Sequence, residues 1–133
     1  NNGGIINNSK TITNKDGGSI DNSETITNIG NIDNSGTISN DGDINNEFGT
    51  ITNEDGGFIN HSGRIDNQGT ITNNGFINNN GFIDNNGGTI TNNGSIDNSG
   101  DIRNEGDIIN DGEICGNYIL NKPNKGKPVD PNC

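Results

Sequence analysis

Isoleucine returns about every six residues along most of this chain. It stands at positions 6, 12, 20, 26, 32, 38, 44, 51, 59, 65, 71, 77, 83, 90, 96, 102, 108 and 114, with a few steps lengthened to seven or eight. Glycine precedes each isoleucine by two positions, except at Lys10 and Glu24. Asparagine follows each by two, except at His61 and Gly116. Internal repetition of this kind decides the fold before any other feature. Only 23% of the residues are apolar and the net charge is −11, a composition that favours disorder when nothing else constrains it. Disordered sequence has no reason to hold three residue types in phase over more than a hundred positions, so residues 3–116 are expected to be ordered.

The G-x-I-x-N-x unit reads as one short strand and one corner. Gly, Ile and Asn occupy alternate positions and therefore point to one side of an extended segment. Isoleucine is β-branched and favours strands. The intervening positions carry Thr, Ser, Asp, Asn, Arg and Phe and are expected to face water. Segments such as Asn34-Ser35-Gly36 and Asn73-Asn74-Gly75 join Asn to the next Gly with residues that tolerate positive φ, as a bend between short strands often requires.

One such unit cannot bury its isoleucine alone, so units must wind into coils and stack. Thr11-Ile12-Thr13-Asn14 returns as Thr50-Ile51-Thr52-Asn53 and again as Thr89-Ile90-Thr91-Asn92, each time 39 positions on. Six units fill each interval, which predicts two coils of three units, and the steps of seven and eight become corner insertions. The expected fold is an all-β, three-sided, single-stranded β-solenoid of about six coils, roughly 29 Å long at the usual strand spacing. Its inner columns are Ile12-32-51-71-90-108, Ile20-38-59-77-96-114 and Ile6-26-44-65-83-102. The inward asparagines are expected to form ladders of amides, because an unpaired buried amide costs about 1–3 kcal/mol.

A strict six-residue unit is typical of left-handed β-helices, whereas coils of 19–20 residues with Asn and Gly corners favour the right-handed winding expected here. Repeats such as Gly36-Thr37-Ile38-Ser39-Asn40 and Gly69-Thr70-Ile71-Thr72-Asn73 resemble those of filamentous haemagglutinin and autotransporter passenger domains. The resemblance covers residues 3–116. It implies a secreted β-helix used in surface adhesion or fibre building, and hence an extracellular or cell-surface location. The start at Asn1 fits a chain left by secretory processing.

Seven basic residues against eighteen acidic ones give a field that repels phosphate, which argues against nucleic acid. No apolar run approaches the length of a membrane span. Nothing points to an enzyme. Asp21, Asp33, Asp66, Asp84 and Asp97 sit at outward positions beside isoleucines, and a catalytic pair needs a cleft. His61 stands in a ladder position with no nucleophile beside it. The Asp-Gly-Gly corners at 16–18 and 55–57 are oxygen-rich, but the calcium-binding nonapeptide is missing, so neither metal nor cofactor is expected.

The surfaces suggest contacts instead. Outward threonine pairs Thr11/Thr13, Thr50/Thr52, Thr70/Thr72 and Thr89/Thr91 share one face, interrupted by Asn31/Asp33. That array resembles the ice-binding face of insect antifreeze solenoids, although threonine is also simply a good strand residue. Phe58, Phe76 and Phe82 lie outward on neighbouring coils, and exposed aromatics often mark partner contacts. The repeat begins at Gly4-Ile5-Ile6 with no cap before it, so the first coil is expected to offer a free strand edge. Residues 117–133 carry all three prolines and Lys122, Lys125 and Lys127. They read as a C-terminal cap or an arm to a neighbour. Residues 117–120 could form one last strand, and the remainder is expected not to continue the ladder, because proline lacks the donor. Cys115 and Cys133 are expected to form a disulfide, within the chain rather than between subunits.

The expected function is a secreted structural subunit that stacks on itself, head to tail, into a filament, sheath or surface layer. Ile5, Ile6, the three phenylalanines and the three tail lysines are the candidate contacts. Ice binding through the threonine face, and glycan binding by an adhesin fragment, are the alternatives.

Overall fold

The computed structural model describes residues 3–122 and 124–133. Among them are twenty short strands and no helix, numbered here in chain order. The first sheet contains β1 (Ile6–Asn8), β4 (Ile26–Asn28), β7 (Asp43–Asn46), β10 (Arg64–Asn67), β13 (Phe82–Asn85), β16 (Asp101–Asn104) and β19 (Ile119–Asn121). The second contains β2 (Thr11–Asn14), β5 (Asn31–Asn34), β8 (Thr50–Asn53), β11 (Thr70–Asn73), β14 (Thr89–Asn92), β17 (Asp107–Asn110) and β20 (Lys125–Gly126). The third contains β3 (Ser19–Asn22), β6 (Thr37–Asn40), β9 (Phe58–His61), β12 (Phe76–Asn79), β15 (Ser95–Asn98) and β18 (Glu113–Gly116). Every pairing is parallel and joins a strand to the one three places later, so each turn of the chain visits all three sheets. The chain is a three-sided β-solenoid of about six coils.

Register follows the isoleucines. Ile32 pairs with Ile51, Ile51 with Ile71, and Ile71 with Ile90 in the second sheet. Ile65 lies between Ile44 and Ile83 in the first, and Ile77 between Ile59 and Ile96 in the third. The three columns are those the 39-residue spacing predicts. Fifteen isoleucines, Ile26 through Ile114, are between 1% and 4% exposed and line the axis of the stack. The four seven- and eight-residue steps are absorbed at corners, where Gly17, Phe48, Gly56 and Gly87 take positive φ.

The repeated glycine two residues before isoleucine has a different reason from the one its turn chemistry suggests. None of these glycines is among those with positive φ. A Cβ at Gly63 would run into the carbonyl of Gly42 on the coil before, and one at Gly81 into the carbonyl of Gly63. Glycine is needed there because backbones stack directly on backbones.

The amide ladders run along the corners. Asn8, Asn28, Asn46, Asn67, Asn85 and Asn104 each donate from Nδ2 to Oδ1 of the next, at 2.8–2.9 Å, in the first sheet. Asn14, Asn34, Asn53, Asn73, Asn92 and Asn110 do so at 2.8 Å throughout the second. Each amide also reaches backbone carbonyls. Asn34 Nδ2, for example, is 3.0 Å from both Gly36 O and Phe58 O. Buried polar groups are thus satisfied in place of a larger apolar core.

The outward positions are mostly half-buried or exposed, but Asp84 is buried. Arg64 on β10 lies over it and bonds both Asp84 and Asp66, at 2.9 and 3.1 Å.

Ile71 sits at the middle of the stack, so its replacements test the fold directly. Ile71→Val is expected to lower stability by about 0.5–1.5 kcal/mol. Ile71→Asp buries a charge with no partner and is expected to abolish the cooperative transition, as read by circular dichroism on heating.

Candidate functional site

The departures from the repeat lie in three places: the two ends of the stack, the outer faces of the sheets, and one interrupted ladder.

At the N-terminal end, Ile6, Ile12 and Ile20 are only partly buried, unlike the fifteen isoleucines that follow. The ladders also begin unfinished there. Asn8 Oδ1 accepts from its neighbour Lys10 N at 3.2 Å, and Asn22 Oδ1 is buried without any donor. Ile5, beside the first strand, is exposed. The first coil therefore presents partly buried side chains and amide oxygens to whatever covers it.

The C-terminal end is built differently. The last strand expected at 117–120 is β19, which pairs with β16. The tail also continues the winding beyond it, against the expectation from its prolines: β20 pairs with β17, and Asp130 bridges to Cys115 on β18. These pairings fall between or beside Pro123, Pro128 and Pro131 in sequence, so no strand residue is a proline. The residues standing in the ladder positions of this last layer are Gly116, Asn121 and Gly126, all with positive φ, at 98°, 71° and 89°. Each bend ends a ladder on a backbone carbonyl instead of an amide. Asn98 Nδ2 donates to Asn117 O at 3.0 Å, Asn104 Nδ2 to Lys122 O at 2.9 Å, and Asn110 Nδ2 to Lys127 O at 2.9 Å.

The tail is also tied down. Cys115 and Cys133 form a disulfide. Lys122 Nζ and Lys125 Nζ lie 2.7 and 3.0 Å from Asp107 Oδ1 and hold that carboxyl below its ordinary range through their hydrogen bonds and charge. Two of the three tail lysines thus pair within the chain, while Lys127 is exposed. Glu113 lies beside the disulfide, but with both sulfurs bonded no thiolate remains to ligate a metal.

On the outer faces, Phe58 and Phe76 lie on adjacent strands of the third sheet with ring centroids 5.7 Å apart. Phe82 is half-buried on β13, in the first sheet, and does not join them. Sequence reasoning missed Ile29 and Phe48, both exposed at the corner between the first and second sheets on successive coils. Phe48 has φ 61°, and its place outside the repeat is the only sequence signal it carries. The second sheet brings Thr50/Thr52, Thr70/Thr72 and Thr89/Thr91 into register. Asn31/Asp33 separates them from Thr11/Thr13, and Asp107/Ile109 follows.

The third ladder is broken at His61, which is 1% exposed. Asn22 donates to Asn40 at 3.0 Å and Asn79 to Asn98 at 2.7 Å, but neither ring nitrogen of His61 has a hydrogen-bond partner and Asn79 Oδ1 has no donor. Desolvation pushes the imidazole below its ordinary value of 6.5, against the opposing pull of the backbone at Phe82, Gly63 and Asn40 and of the Asp43 carboxylate.

Comparison with known protein families, with curated proteins and with solved structures finds no match to this chain.

A lowered histidine pKa means that the unfolded chain binds the proton more tightly. Stability is therefore expected to be full above about pH 6.5 and to fall as pH drops toward the folded value. His61→Asn is expected to remove this slope and to add about 1 kcal/mol by completing the ladder. Urea unfolding of both proteins at pH 7.5 and pH 5.5 measures the two effects together.

Proposed function

We propose that this chain is a structural subunit of an extracellular filament, sheath or surface layer, and that it joins other copies end to end through its first coil. The observation that carries this reading is the contrast between Ile6, Ile12 and Ile20, partly buried, and the fifteen later isoleucines at 1–4% exposure. An uncovered strand edge with apolar side chains behind it is a template for another chain. Joining unlike ends gives an open contact that propagates into a fibre unless it closes into a ring. The repeats' resemblance to filamentous haemagglutinin and autotransporter passenger domains supports the same reading. The disulfide fits the extracellular location alone, since such bonds persist in oxidising compartments. A net charge of −11 opposes lateral clumping and leaves axial contact favoured.

Sedimentation and electron microscopy across a range of concentrations, with and without a thiol reductant, test it. Polymers are expected in at least one of the two conditions, and Ile12→Arg, or a proline-containing segment fused before Asn1, is expected to abolish them. A protein that remains monomeric under both conditions overturns the reading.

A second reading rests on the threonine pairs of β8, β11 and β14, which lie in register on one parallel sheet. Such an array suits an ordered water surface. A freezing-point hysteresis that disappears in Thr70→Tyr identifies an ice binder, and its absence in the unaltered protein rules one out.

A further inference from the structure

We infer that the edge formed by β16, β17 and β18 is a docking surface for the first coil of a second copy, and that the disulfide-bonded tail occupies that surface in its place. The inference rests on the end-to-end reading above and adds where the contact forms and what controls it.

The two surfaces match in order and register in all three columns and in ladder polarity in the first two, while Gly116 stands at the ladder position of β18 in the third. The chain visits the first, second and third sheets in that order at both ends: β1, β2, β3 and β16, β17, β18. A copy continuing the stack would set Ile6, Ile12 and Ile20 on Ile102, Ile108 and Ile114, repeating the pairing found between every two coils. Ladder polarity also fits. Along the first two sheets each amide donates toward the C-terminal end and accepts from the N-terminal side. Asn104 and Asn110 therefore present donors at the last coil, and Asn8 and Asn14 present oxygens at the first.

The tail imitates that missing coil imperfectly. Over β16 and β17 it offers carbonyls where the ladder offers amides, as the bends at Asn121 and Gly126 bring about. Ile119 and Val129 pack against the core, but Asn124 is the residue next to the Lys125–Ile109 pair and so falls over the Ile108 column. A second copy supplies an isoleucine in all three columns. What favours the tail is covalent attachment: a tethered segment acts at a high effective concentration, and Cys133 bonded to Cys115 closes it into a short loop. Reduction by a dithiol gives each sulfur a hydrogen and leaves the reductant as a disulfide. The peptide tether, the packing of Ile119 and Val129, the layer's own backbone bonds and the Lys122 and Lys125 pairs with Asp107 then hold the tail without its second covalent anchor, and exposed ion pairs hold weakly.

The experiment compares oxidised protein, dithiothreitol-reduced protein and the Cys115→Ser/Cys133→Ser variant at equal concentrations by sedimentation velocity and electron microscopy. The oxidised chain is expected to stay monomeric, and both thiol-free and reduced chains to form polymers that an equimolar addition of reduced Ile12→Arg shortens. Polymers of equal length with the disulfide intact overturn the tail's role and leave the end-to-end reading standing. Monomers in all three samples overturn both. Hydrogen exchange monitors the coils: loss of slow exchange in residues 50–98 on reduction also overturns the inference, because the tail would then be part of the fold and not a cover on it.

Discussion

Each inward asparagine is shut away from water, so its amide must find a donor and an acceptor inside the stack. The only groups placed to serve it are the same amide one coil away and the carbonyls of the adjoining corner, and both are used. This single requirement fixes much else. The coils must lie at hydrogen-bonding separation, so their backbones touch at the corners and glycine is needed wherever a Cβ would meet a carbonyl. The strands must be parallel and in register, because a slip of one residue would turn the amides outward. The isoleucines then fall over one another as a consequence.

The same arrangement explains how so little apolar sequence holds a fold. The apolar side chains are gathered on one axis, with fifteen isoleucines at 4% exposure or less. The outward positions remain free to be Thr, Asp, Asn, Ser or Phe, and their variety leaves the coil unchanged. Arg64 over Asp84 and Asp66 shows an outward place where the surface builds a network of its own around a buried carboxylate.

The stack was legible in the sequence because its physics is periodic. The 39-residue spacing of Ile12, Ile51 and Ile90 carries coil length, sheet number and register together, and all three columns follow from it. The ends were less legible. A last strand near 117–120 was readable. Proline argued against pairing beyond it, yet β20 and the Asp130 bridge fall between prolines, and the terminating bends at Gly116, Asn121 and Gly126 have no periodic signature. Glycine was readable as necessary but its reason was mistaken, since turn freedom and close backbone approach leave the same residue in the sequence. His61 was visible as a substitution, whereas its complete burial without a partner depends on neighbours 18 to 21 positions away that only the coil brings together.

The direction of the ladders bears on how such a chain meets another. If two first coils met about a two-fold axis, Asn8, Asn14 and Asn22 of each would bring oxygens toward oxygens, since their amide donors are already committed within the chain. Acceptors facing acceptors in a desolvated contact lose hydrogen bonds to water and regain none. A contact between first and last coils has no such conflict, because the last coil's amides point outward along the axis. The solenoid is thus polar in the same sense as a strand: it has an accepting end and a donating end. Identical chains that join by their ladders must join unlike ends, and whatever bonds the donors of Asn104 and Asn110 decides whether the stack stops or continues.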